Sequence, residues 1–300
     1  MNIFKLFLEP TGERKRSYEQ VRQEQAALGG VDFAAFDALP REDFRLPVEG
    51  AELACAFLPA IPPNKPDAHP RCIIRVHGHS QNMQISVRFI KAFMDMGYAA
   101  LIYDHRAFGR STGTRCTLGK QEAFDLSRVI DWAKARLGDD CIIGLHGESM
   151  GAITSMLCLG IDRRIDFAVI DAGAACFGDA VGYLTRNMLG FSIQPLIPLA
   201  EQYVRRKYGL CFSDIRPIDA VRESDVPLLF FHSTGDMDIY VSQSEQLFAA
   251  ARNPLSRLEI FEGPEHCQSH SSDPPRYERI EKEFVRAVEA TLSACNAVMV

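Results

Sequence analysis

The chain has 300 residues, of which 47% are apolar and 24% charged, with a net charge of −6; this is the make-up of a globular protein and excludes a disordered or fibrous one. Its basic residues are scattered, which argues against a nucleic-acid or anionic-membrane partner and for a small-molecule ligand. Nine cysteines without paired CxxC spacing point to neither a disulfide framework nor a zinc site, and are expected to be mostly buried, reduced thiols.

In chain order, the N-terminus MNIFKLFLEPTGERKR has an apolar stretch broken by Lys5 and ended by Glu9. It is too short for a signal-peptide core or a membrane span, so the expected location is the cytoplasm. After a charged N-terminal extension over residues 1–40, Asp43–Val48 and Ala51–Leu58 flank Glu49-Gly50 and read as a hairpin. The Pro-rich run Ala60–Pro70 ends it. Strand-like runs then follow at Cys72–Val76, Ala99–Tyr103, Cys141–Leu145, Phe167–Ile170, Leu228–Phe231 and Leu258–Phe261. Between and after them, Leu126, Ile130, Ala133 and Leu137, and later Ile280, Phe284 and Val288, fall at helical spacing. The expected architecture is one α/β domain over residues 1–300, with a mainly parallel central sheet flanked by helices and ligands bound at the C-terminal strand ends. About 45 residues from Gly173 to Ile218 break the rhythm, and a loop of this length reads as a helical lid over residues 173–218. Its apolar run contains Phe191, Ile193, Leu196, Ile197 and Leu199, of which Phe191 and Leu196 are the candidate substrate-binding residues. A dimer interface or a thicker core would use the same run.

Three chemical signals lie at the predicted strand ends. Gly147-Glu148-Ser149-Met150-Gly151 matches G-x-S-x-G between the strand Cys141–Leu145 and the helix-like Ala152–Leu159, the strand–turn–helix setting of a nucleophile elbow. Glycines there let strand and helix pass closely around a strained serine, and the helix N-terminus can stabilise an oxyanion. His77-Gly78-His79 follows the strand Cys72–Val76, so the expected oxyanion donors are the N–H groups of His79 and Met150. A dinuclear metal reading of His77 and His79 lacks the Asp-His pair that should follow, and no metal is expected. Asp236, with Asp238 as competitor, lies after the strand Leu228–Phe231, and His266, with His270 as competitor, lies after the last strand. Each could be a plain loop residue, but the chain order Ser149, Asp236, His266 is the Ser…Asp…His order of the hydrolases built on this elbow.

From about Phe44 to Val288 the chain resembles bacterial α/β-hydrolases of the serine-aminopeptidase-like, esterase-like group, through RVHGHSQN, LIYDHRAFGRSTG, GLHGESMGAITS, PLLFFHSTGDMDIYV and GPEHCQSHSSDPPRYERIEKEFV. The resemblance implies the α/β-hydrolase fold. In similar proteins the acid lies four residues after a strand-end histidine and eleven before a helix leucine, intervals that Asp236 and Leu247 fit and Asp238 does not. Gln268-Ser269 and Pro274–Tyr277 match the block that follows the family histidine at His266. The turn usually written D-x-R-G-x-G-x-S carries Ala107 in place of a glycine, and Arg106 in that turn reads as a structural ion-pair member rather than a pocket residue. The implied activity is hydrolysis of a small carboxylic ester through an acyl-enzyme, with Ser149 as nucleophile, His266 as base, Asp236 as its orienting acid, and no cofactor. An aminopeptidase or thioesterase would use the same triad on an amide or thioester, and a non-catalytic binding protein could retain the fold. No nucleic-acid partner or membrane span is expected, and a homo-oligomer is compatible with the sequence.

Overall fold

A computed structural model of the chain describes residues 3–11, 15–61, 69–182 and 197–298. Eight strands form one sheet in the order β1-β2-β4-β3-β5-β6-β7-β8: β1 Glu42–Val48, β2 Ala51–Leu58, β3 Arg71–Val76, β4 Ala99–Tyr103, β5 Ile142–Glu148, β6 Phe167–Asp171, β7 Leu228–Ser233 and β8 Arg257–Phe261. The hairpin β1–β2 is antiparallel and joins β4 antiparallel, whereas β3 to β8 pair in parallel throughout. Every strand-like run of the sequence is therefore a strand of the sheet.

Side-chain alternation divides the core into two layers, one on each face of the sheet. On one face Cys55, Ile74, Leu145, Ile170 and Phe230 pack under helices α5 Lys120–Leu137 and α6 Met150–Leu159. On the other, Ala56, Ile73, Val169 and Phe231 pack under α4 Val87–Asp95 and the C-terminal helix Pro274–Val298. The Leu126, Ile130 and Ala133 spacing belongs to α5, and the Ile280, Phe284 and Val288 spacing to the C-terminal helix.

The N-terminal extension is helical where described, with α1 Ile3–Leu8, α2 Tyr18–Leu28 and α3 Phe33–Asp37. The sequence carried a local signal for α2: Ser17 and Gln20 form a reciprocal capping box, Ser17 accepting the Gln20 N–H and Gln20 accepting the Ser17 N–H. Val21 and Phe36 are buried against the sheet, so the extension packs as part of the domain.

Within the interval 173–218, Phe191, Ile193 and Leu196 lie outside the described residues. The described parts include a helix Ile197–Tyr208 and a helix Pro217–Glu223. Leu199, expected among the buried apolar residues, is 68% exposed, because it lies on the outer side of a helix whose Val204 is fully buried. Among the described residues no helix is long and apolar enough to cross a membrane.

Candidate active site

The elbow is built by close packing at three glycines. A side chain at Gly151 would strike the Val76 and His77 carbonyls, and one at Gly147 would strike the Gly151 carbonyl. At Gly78 a side chain would press on the Glu148 carbonyl and the Ser149 Cβ, so the loop after β3 runs directly beside Ser149. Ser149 itself sits at φ 53° and ψ −116°, a left-handed conformation that costs a non-glycine residue about 1–3 kcal/mol. Its N–H donates to the Asp171 carbonyl at 2.9 Å and its carbonyl accepts the Ile153 N–H at 3.0 Å, which pins the strained residue from both the sheet and the helix.

The loops after β7 and β8 are tied together before they reach the serine. Thr234 N–H donates to the Phe261 carbonyl at 2.9 Å, Gly263 N–H to Thr234 Oγ1 at 3.0 Å, and Ser233 Oγ to the Glu265 carbonyl at 3.1 Å. Asp236 and His266 meet across this joint. His266 Nδ1 donates to Asp236 Oδ2 at 2.6 Å, and Ser149 Oγ donates to His266 Nε2 at 2.9 Å. The other carboxylate oxygen of Asp236 accepts the N–H groups of Asp238 at 2.9 Å and Ile239 at 2.8 Å. Asp238 thus serves Asp236 through its backbone, and it is Asp236 that touches the imidazole. His270 is buried four residues farther on, with its ring against Phe89 and Tyr277.

Burial alone would raise the Asp236 carboxyl, but hydrogen bonds from His232 and His266 outweigh it and hold the group far below the usual carboxylate range. The His232 Nε2–H is shared between Asp236 Oδ2 at 3.3 Å and the Ile239 carbonyl at 2.7 Å, while its Nδ1 accepts from Ser244 Oγ at 2.7 Å. At His266, burial lowers the pKa and the hydrogen bond and charge of Asp236 raise it; the carboxylate prevails, so the imidazole titrates above its ordinary value.

Met150 is the first residue of α6, so its N–H faces the serine end of that helix with no preceding turn to accept it. His79 is held by its ring: Nε2 donates to the Phe7 carbonyl at 2.9 Å and Nδ1 accepts from Ser80 Oγ at 2.8 Å. His77 donates from Nδ1 to the Gly78 carbonyl at 2.7 Å and accepts the His105 N–H at Nε2, 2.9 Å away, and burial pushes its pKa down to about 3. Both ring nitrogens of His77 are thus engaged with backbone groups, which makes it a neutral structural residue. Among the described residues no cluster of histidine, cysteine or acidic side chains could hold a metal ion. Arg106 forms a two-pronged bond with Asp125, both contacts at 2.6 Å, and donates to the Glu49 carbonyl at 3.0 Å, the structural ion pair expected of it. Ala107, which replaces the family glycine, takes the left-handed φ of 66° that the glycine would have made unstrained.

A buried charge layer behind the elbow was not evident from the sequence. Arg75 is fully buried and donates to Glu148 Oε2 at 2.8 Å and to the carbonyls of Val76 and His146 at 2.7 and 3.0 Å, with its guanidinium 4.2 Å from the Phe89 ring centre. Next to it Asp171 accepts from Tyr277 Oη at 2.9 Å, and burial pushes its carboxyl up to about 7. The available signal was strand parity: Arg75, Glu148 and Asp171 alternate with buried apolar residues and so must face the opposite core layer.

A family model described as serine aminopeptidase, S33, matches residues 67–209. The uncharacterised protein YqkD of Bacillus subtilis is 30% identical over 280 residues, spanning 91% of this chain and 88% of YqkD. Among solved structures, the Pyrococcus furiosus esterase Pf2001 superposes with a TM-score of 0.67 at 20% identity, over 86% of this chain and 94% of the esterase. An acylaminoacyl peptidase of Pyrococcus horikoshii gives a TM-score of 0.63 at 16% identity, over 86% of this chain and 43% of the peptidase. With the elbow, the sheet order and a relative matched along nearly its whole length, the chain belongs to the α/β-hydrolases, in one family with YqkD.

Proposed function

We propose that the protein is a serine hydrolase that cleaves small carboxylic esters through an acyl-enzyme. The observation that carries this reading is the unbroken chain of hydrogen bonds from Ser149 through His266 to Asp236, at 2.9 and 2.6 Å. In the proposed reaction His266 takes the Ser149 proton as Oγ attacks the substrate carbonyl. The tetrahedral oxygen is stabilised by the N–H groups of Met150 and His79. His266 then passes its proton to the leaving alcohol, and a water activated by the same imidazole releases the acid. Asp236 holds the imidazole with its proton on Nδ1, which leaves Nε2 free to act as the base.

The interval 173–218 is proposed to cover the strand ends and form the acyl wall, with Phe191 and Leu196 as the candidate substrate-binding residues. In support, Phe177, Val204, Phe212 and Ile215 of its described parts share one apolar cluster with Met150 and Ile239. The cytoplasm is the proposed compartment, because the described cysteines are all free thiols, most of them buried. Amide and thioester substrates pass through the same chemistry, so the test compares classes. Aryl esters of graded acyl length, aminoacyl arylamides and acyl thioesters are offered to the parent and to Ser149→Ala. Ester turnover should exceed arylamide turnover, and Ser149→Ala should lower it by at least about a thousandfold with an unchanged circular-dichroism spectrum. Turnover by Ser149→Ala close to that of the parent would remove the serine from the mechanism.

A further inference from the structure

We propose that the N-terminal segment is a working part of the active site: through Phe7 and Leu8 it positions His79 and Met150, the two proposed oxyanion donors. The inference rests on the serine-hydrolase reading and adds a component that the elbow and triad do not contain.

The contacts converge from two sides. The Phe7 carbonyl accepts the His79 Nε2 proton at 2.9 Å, and the Phe7 ring lies 5.6 Å from the imidazole, which is flanked again by the Phe108 ring at 5.0 Å. Ser80, which closes the remaining nitrogen of that ring, is itself left-handed at φ 63°, so the turn that presents residue 79 is strained and needs external support. Leu8, only 1% exposed, belongs to the apolar cluster that contains Met150, Phe108 and Ile153. Its carbonyl accepts the Cys116 N–H at 2.9 Å, and Cys116 Sγ lies 3.3 Å from Met150 Sδ. Farther along, the Arg16 carbonyl accepts from Asn82 Nδ2 at 3.1 Å, and Tyr18 Oη donates to Asp104 Oδ2 at 2.7 Å, whose partner oxygen accepts the Met83 N–H at 2.7 Å. The loop from His79 to Met83 is therefore clasped at both ends by residues of the N-terminal segment.

An oxyanion donor acts only when its N–H is already in place as charge develops, because reorganising it during the reaction would consume the stabilisation it provides. A loop clasped through the side chain of the donor residue has its backbone fixed in that way. Loss of the clasp then weakens transition-state binding while leaving ground-state binding of the ester largely intact, which separates kcat from KM.

Two variants remove the His79 end of the clasp independently: deletion of residues 2–11, and His79→Ala, which keeps the backbone N–H and loses the ring that Phe7 holds. Each is assayed with p-nitrophenyl acetate for kcat and KM, and with a fluorophosphonate for the rate of Ser149 modification. Each variant should lose about 100-fold in kcat with KM within about threefold of the parent, and phosphonylation should slow in parallel. The combined variant should be no slower than the slower single one, because both remove one device. Turnover by His79→Ala within about threefold of the parent overturns the proposal, as does a folded deletion variant with unchanged kcat. If the deletion prevents folding, Leu8→Ala replaces it, and the same kcat loss at constant KM is required. A parent that is not modified at Ser149 overturns the hydrolase reading itself, a result separable from failure of the clasp.

Discussion

Replacing Arg75 with methionine removes the cation from a pair whose side chains are 0% and 4% exposed, and leaves the Glu148 carboxylate buried one residue before the nucleophile. Solvent screening is negligible at that depth. Breaking one partner of such a pair costs about 3–5 kcal/mol. For a chain of this length that amounts to a fall of about 5–8 °C in melting temperature. The loss includes the bonds to the Val76 and His146 carbonyls, which methionine cannot replace. Adding Glu148→Gln removes the uncompensated charge and should recover more than half of the loss, since a neutral pair of similar volume no longer carries the cost of a buried ion. Calorimetric melts of the parent, both single variants and the double variant close the cycle. The reasoning fails if Arg75→Met alone melts within about 1 °C of the parent, or if the double variant is less stable than Arg75→Met.

Five further outcomes follow from the geometry. Asp236→Asn should lower kcat by about four orders of magnitude by favouring the wrong imidazole tautomer, while Asp238→Asn, whose backbone N–H is the part that is used, should cost little; steady-state kinetics on one aryl ester ranks them. Because the His266 pKa is raised and its neutral form is the base, kcat/KM should fall on the acid side with a midpoint above the ordinary histidine value of about 6.5. The stability that the raised His266 pKa contributes is full below the unfolded-state value of about 6.5 and is lost as pH rises from there through the folded one, so His266→Gln should flatten the stability profile on the alkaline side of about pH 6.5. Ser149→Gly should abolish turnover yet raise stability by about 1 kcal/mol, because glycine adopts the φ of 53° without strain. Asp171, raised to about 7, contributes stability that is full below the ordinary carboxylate value of about 4 and is lost as pH rises from there through the folded value; Asp171→Asn should therefore gain on the parent between about pH 4 and pH 7 in chemical-denaturation curves, by up to a few kcal/mol, and keep a constant lead above that.

The sheet was legible in the sequence because its inner strands are short apolar runs bounded by turns, and Ala99–Tyr103 is identical in both readings. The proposed triad was legible for a different reason: each candidate sits just past a strand end, where this architecture gathers loops, and the family interval from His232 to Asp236 favoured Asp236 over Asp238. What stayed hidden depends on contacts distant in sequence. Nothing local in Phe7 or Leu8 reveals that they reach His79 and Cys116, since those bonds join residues 72 and 108 positions apart. Arg75 drew no notice within its apolar strand because its partner Glu148 lies 73 residues away, within the elbow motif itself. Helix α2 had its capping box in plain sight, but its mean character is polar, so the apolar periodicity that revealed α5 was weak there.

Ser149 is proposed to be an activated nucleophile, and covalent labelling reads that property without a substrate. The folded parent, His266→Gln and Ser149→Ala are incubated with a fluorophosphonate, and the adduct is mapped by mass spectrometry of the peptide that contains residues 142–159. The parent should carry a single adduct on Ser149 at full occupancy, His266→Gln should react much more slowly, and Ser149→Ala should carry none. A folded parent that remains unmodified at Ser149, or one labelled equally fast without His266, would contradict that role.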